Sequence, residues 1–484
     1  MDAPSHFLRL GRYAPRARAS DVKVGFITLG CDKNTVDTER YVASLAGRGA
    51  QLTSDLAEAG VIVVNTCGFI DAAKKESIDA IVEAAGYKTD GTCRAVVAVG
   101  CMVQRHKSEL EEALPEVDLF LGSSDMDRLL PELDAMGLLD EPVEIHPGER
   151  IYSGDISHVR YLKVSEGCDH GCAFCAIPLM RGKHRSFALG DVVREAQLLE
   201  MQGARELNLV AQDLAHYGRD MRDGNGLPEL LRALVRETSV PWIRMLYLYS
   251  MGITPHLLDI VASEPRIVPY LDMPMQHASD PVLQRMRRPE RRATIRERVS
   301  MLRSVIPDVA IRTTCIVGFP GETDDDFRIL LDFLEETQFD RVGAFTYSAQ
   351  EGTRAFALAD DVPEPVKRDR LERLTELQRI ITAERYDRHV GRTVRAMVDR
   401  AADVEGVADA RAAWQADDID GVTRIRTDAL PGSILDVRID EVVDDYDFIA
   451  TEVALVDAPA VPSVRITRSL PMFAGANTIG SFGR

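Results

Sequence analysis

Cys168-Asp169-His170-Gly171-Cys172-Ala173-Phe174-Cys175 sets three cysteines at x3 and x2 spacing, with Gly167 before them and Ala176-Ile177-Pro178 after. Three thiolates this close in one loop suit an iron–sulfur cluster. A closed four-iron cubane takes four protein ligands, so three leave one iron open to a small molecule. A structural zinc loop is the competing reading. Zinc sites, however, come as paired C-x2-C knuckles with a fourth ligand nearby.

The loop has a context. A strand is expected at 161–165, just before it, and five more at 207–211, 243–248, 269–273, 310–317 and 341–346. Helical patterns fall between them near 188–202, 227–237, 254–264, 278–287, 291–305 and 323–337. Six βα units predict an open or partial barrel whose working face is the carboxyl ends of its strands. The Cys168 loop follows the first strand and so lies at that face.

Upstream, a simpler rhythm repeats. Lys23 to Leu29 reads as a buried strand ending in Gly30-Cys31, and Val61 to Val64 as another ending in Asn65-Thr66-Cys67-Gly68. Ala95 to Val99 reads as a third, ending in Gly100-Cys101. Helical stretches follow each. Strands alternating with helices predict a parallel α/β sheet, and sites in such sheets form beyond the strands' carboxyl ends. Cys31, Cys67 and Cys101 stand at such ends, so they are expected to converge on one cluster despite separations of 36 and 34 residues. Cys93 precedes its strand and reads as an incidental thiol; Cys315 lies within a strand and reads as a core thiol.

Glu141 to His158 reads as a linker. Pro363 to Asp387 is a charged helix, with Leu371, Leu374, Leu377 and Ile381 at helical spacing; it reads as a connector. From about His389 the pattern turns to short β segments broken at Gly406, Gly421 and Pro431-Gly432, which fits a small antiparallel β-barrel over 389–454. That segment holds 15 Asp or Glu against 7 Arg and no Lys, a net of −8. Residues 1–21 read as a disordered arm without a secretory signal, and 455–484 as a flexible tail.

Whole-chain properties narrow the options. At 484 residues about three domains are expected. No apolar run of about 18 residues exists, so no membrane helix is expected. Eight cysteines and no export signal point to reduced thiols in a cytoplasmic protein. A formal charge of −19 argues against broad nonspecific binding to nucleic acid and fits a basic protein partner.

Together these residues resemble the methylthiotransferase family of radical S-adenosylmethionine (SAM) enzymes, over about residues 22–454. The resemblance implies an N-terminal domain (22–140) with an auxiliary cluster, a radical SAM partial (βα)6 barrel (155–385) and a C-terminal TRAM β-barrel (389–454). Leu29-Gly30-Cys31-Asp32-Lys33-Asn34-Thr35-Val36-Asp37 resembles the RimO-type branch, which modifies a ribosomal protein, with Asp32 where that branch usually has Pro. Asp445-Tyr446-Asp447-Phe448 resembles it too. The implied reaction replaces the β-carbon C–H of an aspartate, on the small-subunit ribosomal protein at the decoding centre, with a methylthio group. Such a C–H is too weakly acidic for base chemistry, so a radical must remove the hydrogen.

Two 4Fe-4S clusters and SAM are the implied cofactors, one cluster on Cys168, Cys172 and Cys175 and the other on Cys31, Cys67 and Cys101. No protein side chain is assigned the bond-breaking step. An electron donor such as flavodoxin or ferredoxin is implied, and a monomer is expected. For SAM, Phe174 with Ile177 is a candidate against adenine, Gln212 and Asp213 for the amino group, Gln276 and His277 for the ribose, and Arg312 for the carboxylate. Ile316-Val317-Gly318-Phe319-Pro320-Gly321-Glu322 matches the family's adenine-side motif, which names Gly318, Gly321 and Glu322; a turn opening a helix is the plainer reading. Arg181, Arg185, Tyr347 and Ser348 are candidates for substrate contact. Alternatives are a methylthiotransferase acting on the adenosine beside a tRNA anticodon, a two-cluster electron carrier, and a metal-stabilised RNA binder.

Overall fold

Val61–Thr66 and Ala95–Gly100 are buried at every position, as strands covered on both faces must be. The computed structural model describes residues 22–139, 150–151 and 157–459; the expectations for 1–21, most of the linker and the end of the tail lie outside these. The described residues fall into two compact units, one holding 22–139, 150–151 and Leu179–Gly182, the other holding 157–178 and 183–459.

In the first unit, β1 (Lys23–Thr28), β2 (Gln51–Leu52), β3 (Val61–Thr66), β4 (Ala95–Gly100) and β5 (Leu119–Gly122) form a parallel sheet in the order β2-β1-β3-β4-β5. Helices α1 (Asp32–Ala46), α2 (Asp71–Asp90), α3 (Cys101–Ala113) and α4 (Leu129–Ala135) complete it. This doubly wound order switches direction between β1 and β3, where such sheets open a binding crevice. Cys31 follows β1, Cys67 follows β3 and Cys101 starts the helix after β4.

The second unit opens with β6 (Val159–Lys163). A two-stranded ribbon, β7 (Ser165–Glu166) with β8 (Arg185–Ser186), clasps the excursion that carries the three clustered cysteines and α5 (Ile177–Arg181). Then come α6 (Leu189–Met201), β9 (Glu206–Val210), α7 (Leu227–Glu237), β10 (Trp242–Met245), α8 (Pro255–Ser263) and β11 (Ile267–Asp272). They are followed by α9 (Asp280–Arg285), α10 (Arg292–Val305), β12 (Ala310–Val317), α11 (Asp324–Thr337), β13 (Arg341–Thr346) and α12 (Glu364–Asp387). The six long strands run parallel as β13-β12-β11-β10-β9-β6, the expected half-barrel.

Five strands, β14 (Thr393–Val398), β15 (Val407–Ala412), β16 (Thr423–Arg426), β17 (Ile434–Val443) and β18 (Asp447–Asp457), close the C-terminal barrel. An odd number of strands cannot close with every neighbour antiparallel, and here β16 and β18 are the parallel pair. The barrel is therefore not wholly antiparallel as expected. Its last strand also runs past 454, because Asp457 still pairs with Ile434 and is held by Arg205.

The barrel is joined to the half-barrel through a buried seam. Side chains alternate along the parallel strands: Ile243 and Met245 face the helices, while Trp242 joins Val268, Tyr270 and Ala310 in a core shared with Ala396, Val398, Ala410 and Ile425 of the barrel. Charges reinforce the seam. Glu206 accepts from Arg244 and Arg411, each at 2.7 Å, and Arg411 also donates to Asp399 at 2.6 Å. Asp399 in turn meets His158 at 3.0 Å. Burial pushes the Glu206 carboxyl up, but the two guanidinium groups overcome it and hold the carboxyl below its usual range.

Removing one partner of a buried pair strands the other charge. Arg411→Met should therefore cost about 3–5 kcal/mol in urea unfolding followed by tryptophan fluorescence. Arg438→Ala, at a half-exposed site, should stay within about 0.5 kcal/mol of wild type. Because the folded Glu206 pKa is depressed, its contribution is present above the unfolded value of about 4.3 and is lost as the pH falls through the folded value. The gap between wild type and Arg411→Met should close on acidification.

Candidate iron–sulfur and SAM sites

At the first unit's strand ends, glycine allows the approach of three cysteines. Gly30 has φ +97°, and a Cβ there would stand 2.8 Å from the Cys67 Cβ; Gly100 has φ +104°, and a Cβ there would stand 2.5 Å from Asn65 Oδ1. Both conformations exclude side chains. Asn34 ties the ends together, donating to the carbonyls of Leu29 at 2.7 Å and Thr66 at 3.1 Å, while Asn65 donates to the Asn34 carbonyl at 3.0 Å. Ser77 donates to the Cys67 carbonyl and accepts from its amide.

The three thiols feel one another. Burial, with negative charge on Cys31 and Cys101, pushes Cys67 up to about 12. Burial lifts Cys101 to about 11 against the pull of Arg181. Arg181 donates through Nε to Cys101 Sγ at 3.1 Å, through Nη1 to Asp37 at 2.6 Å, and to Asn34 Oδ1. Its side chain is 4% exposed. The structure thus commits this residue to the strand-end cysteines rather than to an exposed substrate surface.

The Cys168, Cys172 and Cys175 loop is anchored from several sides. Asp169 accepts from the His184 amide at 3.1 Å, and the Ala173 amide donates to the Met286 carbonyl at 2.9 Å. His170 reaches Asp213 at 2.7 Å and stacks on Tyr249 with centroids 3.9 Å apart. Burial, with the negative charge of neighbouring groups, pushes Cys168 up to about 11 and Cys175 up to about 12. Cys67, Cys101, Cys168 and Cys175 therefore favour the protonated thiol until a cation takes the negative charge, and binding it must release protons. Soft donors, mutual repulsion and burial are the chemistry an iron–sulfur cluster requires.

The SAM candidates line the carboxyl ends of the half-barrel strands. Gln212 donates to Glu166 at 3.1 Å, and its Oε1 is buried with no donor. Asp213 lies beside it. Burial opposes its charge, but bonds from His170 and His216 hold it far below the carboxylate range, so it works as the loop's anchor. Gln276 takes a left-handed φ of 71° and bridges to Cys315, a conformation that clusters at functional sites.

His277 is fully buried and held neutral, its pKa pushed down to about 3 by burial. Its Nδ1 accepts from the Ser279 amide at 2.9 Å, and its Nε2 makes no hydrogen bond among the described residues but lies 3.8 Å from Glu322 Oε2. Gly318 and Gly321 both have positive φ, at 72° and 76°. Glu322 turns inward, accepting from the Phe319 amide at 3.1 Å and from Arg370 at 3.1 Å, and burial lifts it to about 7. It shapes the turn, and Thr323 caps α11. Arg312 pairs with Asp272 at 3.3 Å and lies 3.8 Å from Asp420 of the barrel. Phe174 packs with Val282, Met286, Phe319 and Tyr347 beside the loop. Tyr347 is buried; Arg185 is exposed.

Cys315 is a buried core thiol, as expected, and Cys93 is buried too. Sequence reasoning missed Tyr249 and Arg288. Neither lies in a recognisable spacing; the only prior signal is their place just beyond expected secondary structure.

Three family models match successive parts of the chain: the uncharacterized protein family UPF0004 over residues 23–122, the radical SAM superfamily over 162–334 and the TRAM domain over 390–453. The chain is 46% identical over 434 residues to the ribosomal protein uS12 methylthiotransferase RimO of Anaeromyxobacter sp. (strain K), covering 88% of this chain and 92% of that one. It is 43% identical over 438 residues to the protein of the same name from Geobacter sulfurreducens, covering 88% and 98%. Among solved structures, the radical SAM methyltransferase TsrM from Kitasatospora setae matches with a TM-score of 0.52 at 13% identity, over 69% of this chain and 77% of that one. At that identity the likeness concerns the fold alone.

Cysteine variants separate the eight thiols. After anaerobic reconstitution, Cys93→Ser and Cys315→Ala should keep the wild-type iron content. Cys67→Ala and Cys175→Ala should each lose about half of it, as one cluster of two fails; colorimetric iron and the visible charge-transfer band report the loss.

Proposed function

The chain belongs to the ribosomal protein uS12 methylthiotransferase family, and we propose that it replaces the β-carbon C–H of one uS12 aspartate with C–S–CH3. The observation that carries this reading is identity over nearly the full length, 46% over 434 residues, with a relative bearing that name. The barrel's net charge of −8 supports it, since an acidic surface attracts a basic ribosomal protein and repels a polyanionic RNA. The relatives described above carry no tRNA-directed name, so the anticodon-adenosine alternative has no comparable support.

Radical SAM membership brings SAM and one 4Fe-4S cluster, which Cys168, Cys172 and Cys175 would hold. We assign a second cluster to Cys31, Cys67 and Cys101. When bound, the first cluster would supply the electron for radical cleavage of SAM, and the second the sulfur for insertion, with a further SAM as the methyl source. The chain's own side chains bind and orient. Asp213, through His170, holds the first cysteine loop in register. The orphan Oε1 of Gln212 is an acceptor suited to the SAM ammonium. Gln276 and the neutral His277 offer polar groups to the ribose, and the adenine would lie along the Gly318-to-Gly321 turn with Phe174 on its flank, the glycines themselves making room for the Lys367 and Arg285 side chains. Arg181 fixes Cys101 for the sulfur step. Arg312, already paired with Asp272, would reach the SAM carboxylate only by sharing that pair. A flavodoxin or ferredoxin is the proposed electron donor, and a cytoplasmic monomer the proposed working form. Among the described residues no helix is long and apolar enough to cross a membrane.

Mass spectrometry of uS12 and of tRNA from cells lacking the gene should show the thiomethyl group missing from the protein only; its loss from tRNA would overturn the substrate. Purified Cys31→Ala should still cleave SAM to 5′-deoxyadenosine but insert no sulfur. Collapse of SAM cleavage in a folded variant would contradict the division of labour between the triads.

A further inference from the structure

One arginine outside every motif reaches a cysteine sulfur of the radical SAM loop. Arg288 Nη1 donates to Cys172 Sγ at 3.7 Å. Its Nη2 donates to the Pro274 carbonyl at 2.8 Å and to Glu290 Oε1 at 2.9 Å. The guanidinium carbon lies 4.0 Å from the centroid of Tyr249, the ring that also stacks on His170 of the cysteine loop. Tyr249 is therefore gripped between the loop's own imidazole and this cation. Ser250 donates to the same Glu290 oxygen at 2.7 Å, fixing the carboxylate that holds the guanidinium. The Arg288 side chain is 4% exposed, so water screens its charge little. The backbone is set with equal care: Arg287 is left-handed, with φ 58°, and Met286 takes the Ala173 amide.

We propose that Arg288 is a positioning residue that raises the reduction potential of the cluster held by Cys168, Cys172 and Cys175, an inference that rests on those cysteines being its ligands. Reduction adds one electron, and its negative charge spreads onto the cluster's sulfurs. An N–H donor and a fixed positive charge at a ligand sulfur stabilise the reduced form more than the oxidised one. Glu290 acts in the opposite sense, since its charge offsets part of the guanidinium's. The Tyr249 stack keeps the guanidinium plane aimed at Cys172 rather than free to rotate toward solvent.

The test uses full-length protein carrying Cys31→Ala, Cys67→Ala and Cys101→Ala, so that only one cluster forms. After reconstitution, iron is quantified and the cluster is titrated with dithionite under EPR detection. Arg288→Gln should lower the equilibrium constant for reduction about tenfold, a fall of about 59 mV for a one-electron couple. Arg288→Lys should recover part of that fall, and Glu290→Gln should shift the midpoint upward. A midpoint unchanged in Arg288→Gln at the parent's iron content overturns the proposal. If Arg288→Gln fails to hold iron, an unmoved midpoint in both Arg288→Lys and Glu290→Gln overturns it instead. If the parent triple variant takes up no iron, the ligand reading itself fails, a result distinct from either.

Discussion

In a parallel sheet every strand delivers its carboxyl end to the same edge, and both units of this chain place cysteines there: the first collects three that are distant in sequence, the second a single loop that carries three. In the first unit the β2-β1-β3-β4-β5 order brings the ends of β1, β3 and β4 side by side, so residues 31, 67 and 101 meet without any local motif. In the second, the cysteine excursion leaves the edge strand β6 and is clasped by the β7–β8 ribbon. Gathering thiols has an electrostatic cost: burial and mutual repulsion raise the pKa of Cys67, Cys101, Cys168 and Cys175. A metal cluster bound there would relieve that cost, and fold and cofactor would then stabilise each other.

Two arginines answer the same electrostatic problem in the two triads. Arg181 meets Cys101 and Arg288 meets Cys172. Each is nearly dry, and each is fixed by carboxylate or amide partners, Asp37 and Asn34 in one case and Glu290 in the other. A third buried arginine, Arg411, serves the scaffold: with Glu206 and Asp399 it fastens the small barrel to the half-barrel. Once buried, such charges leave few alternative arrangements that satisfy them.

Much of this was legible in the sequence. Alternating strand and helix segments located the six barrel strands and their helices, and a cysteine soon after each of three apolar runs marked the first unit's triad. The barrel's β-rich, turn-broken pattern was equally plain. What stayed hidden depends on long-range pairing. β2 is two residues long and exists only because β1 offers it an edge. The parallel closure of β16 on β18 follows from barrel geometry, not local propensity. The seam at Glu206, Arg244 and Arg411 joins residues up to 205 positions apart. At the site, the cysteines could be read from spacing and the Gly318-to-Glu322 turn from its glycines. Glu322 looked like a ligand-facing group, yet its partners Phe319 and Arg370 turn it inward. Tyr249 and Arg288 carry no pattern, since one stack and one sulfur contact leave no periodic trace.

The central claim is that a SAM-derived radical removes hydrogen from the β-carbon of an aspartate on uS12. Its most direct test is to give the doubly reconstituted enzyme uS12 whose aspartates are deuterated at the β-carbon, and to analyse the 5′-deoxyadenosine formed. The account predicts deuterium in 5′-deoxyadenosine, in step with thiomethylation of the protein. Thiomethylated uS12 accompanied by unlabelled 5′-deoxyadenosine would contradict it.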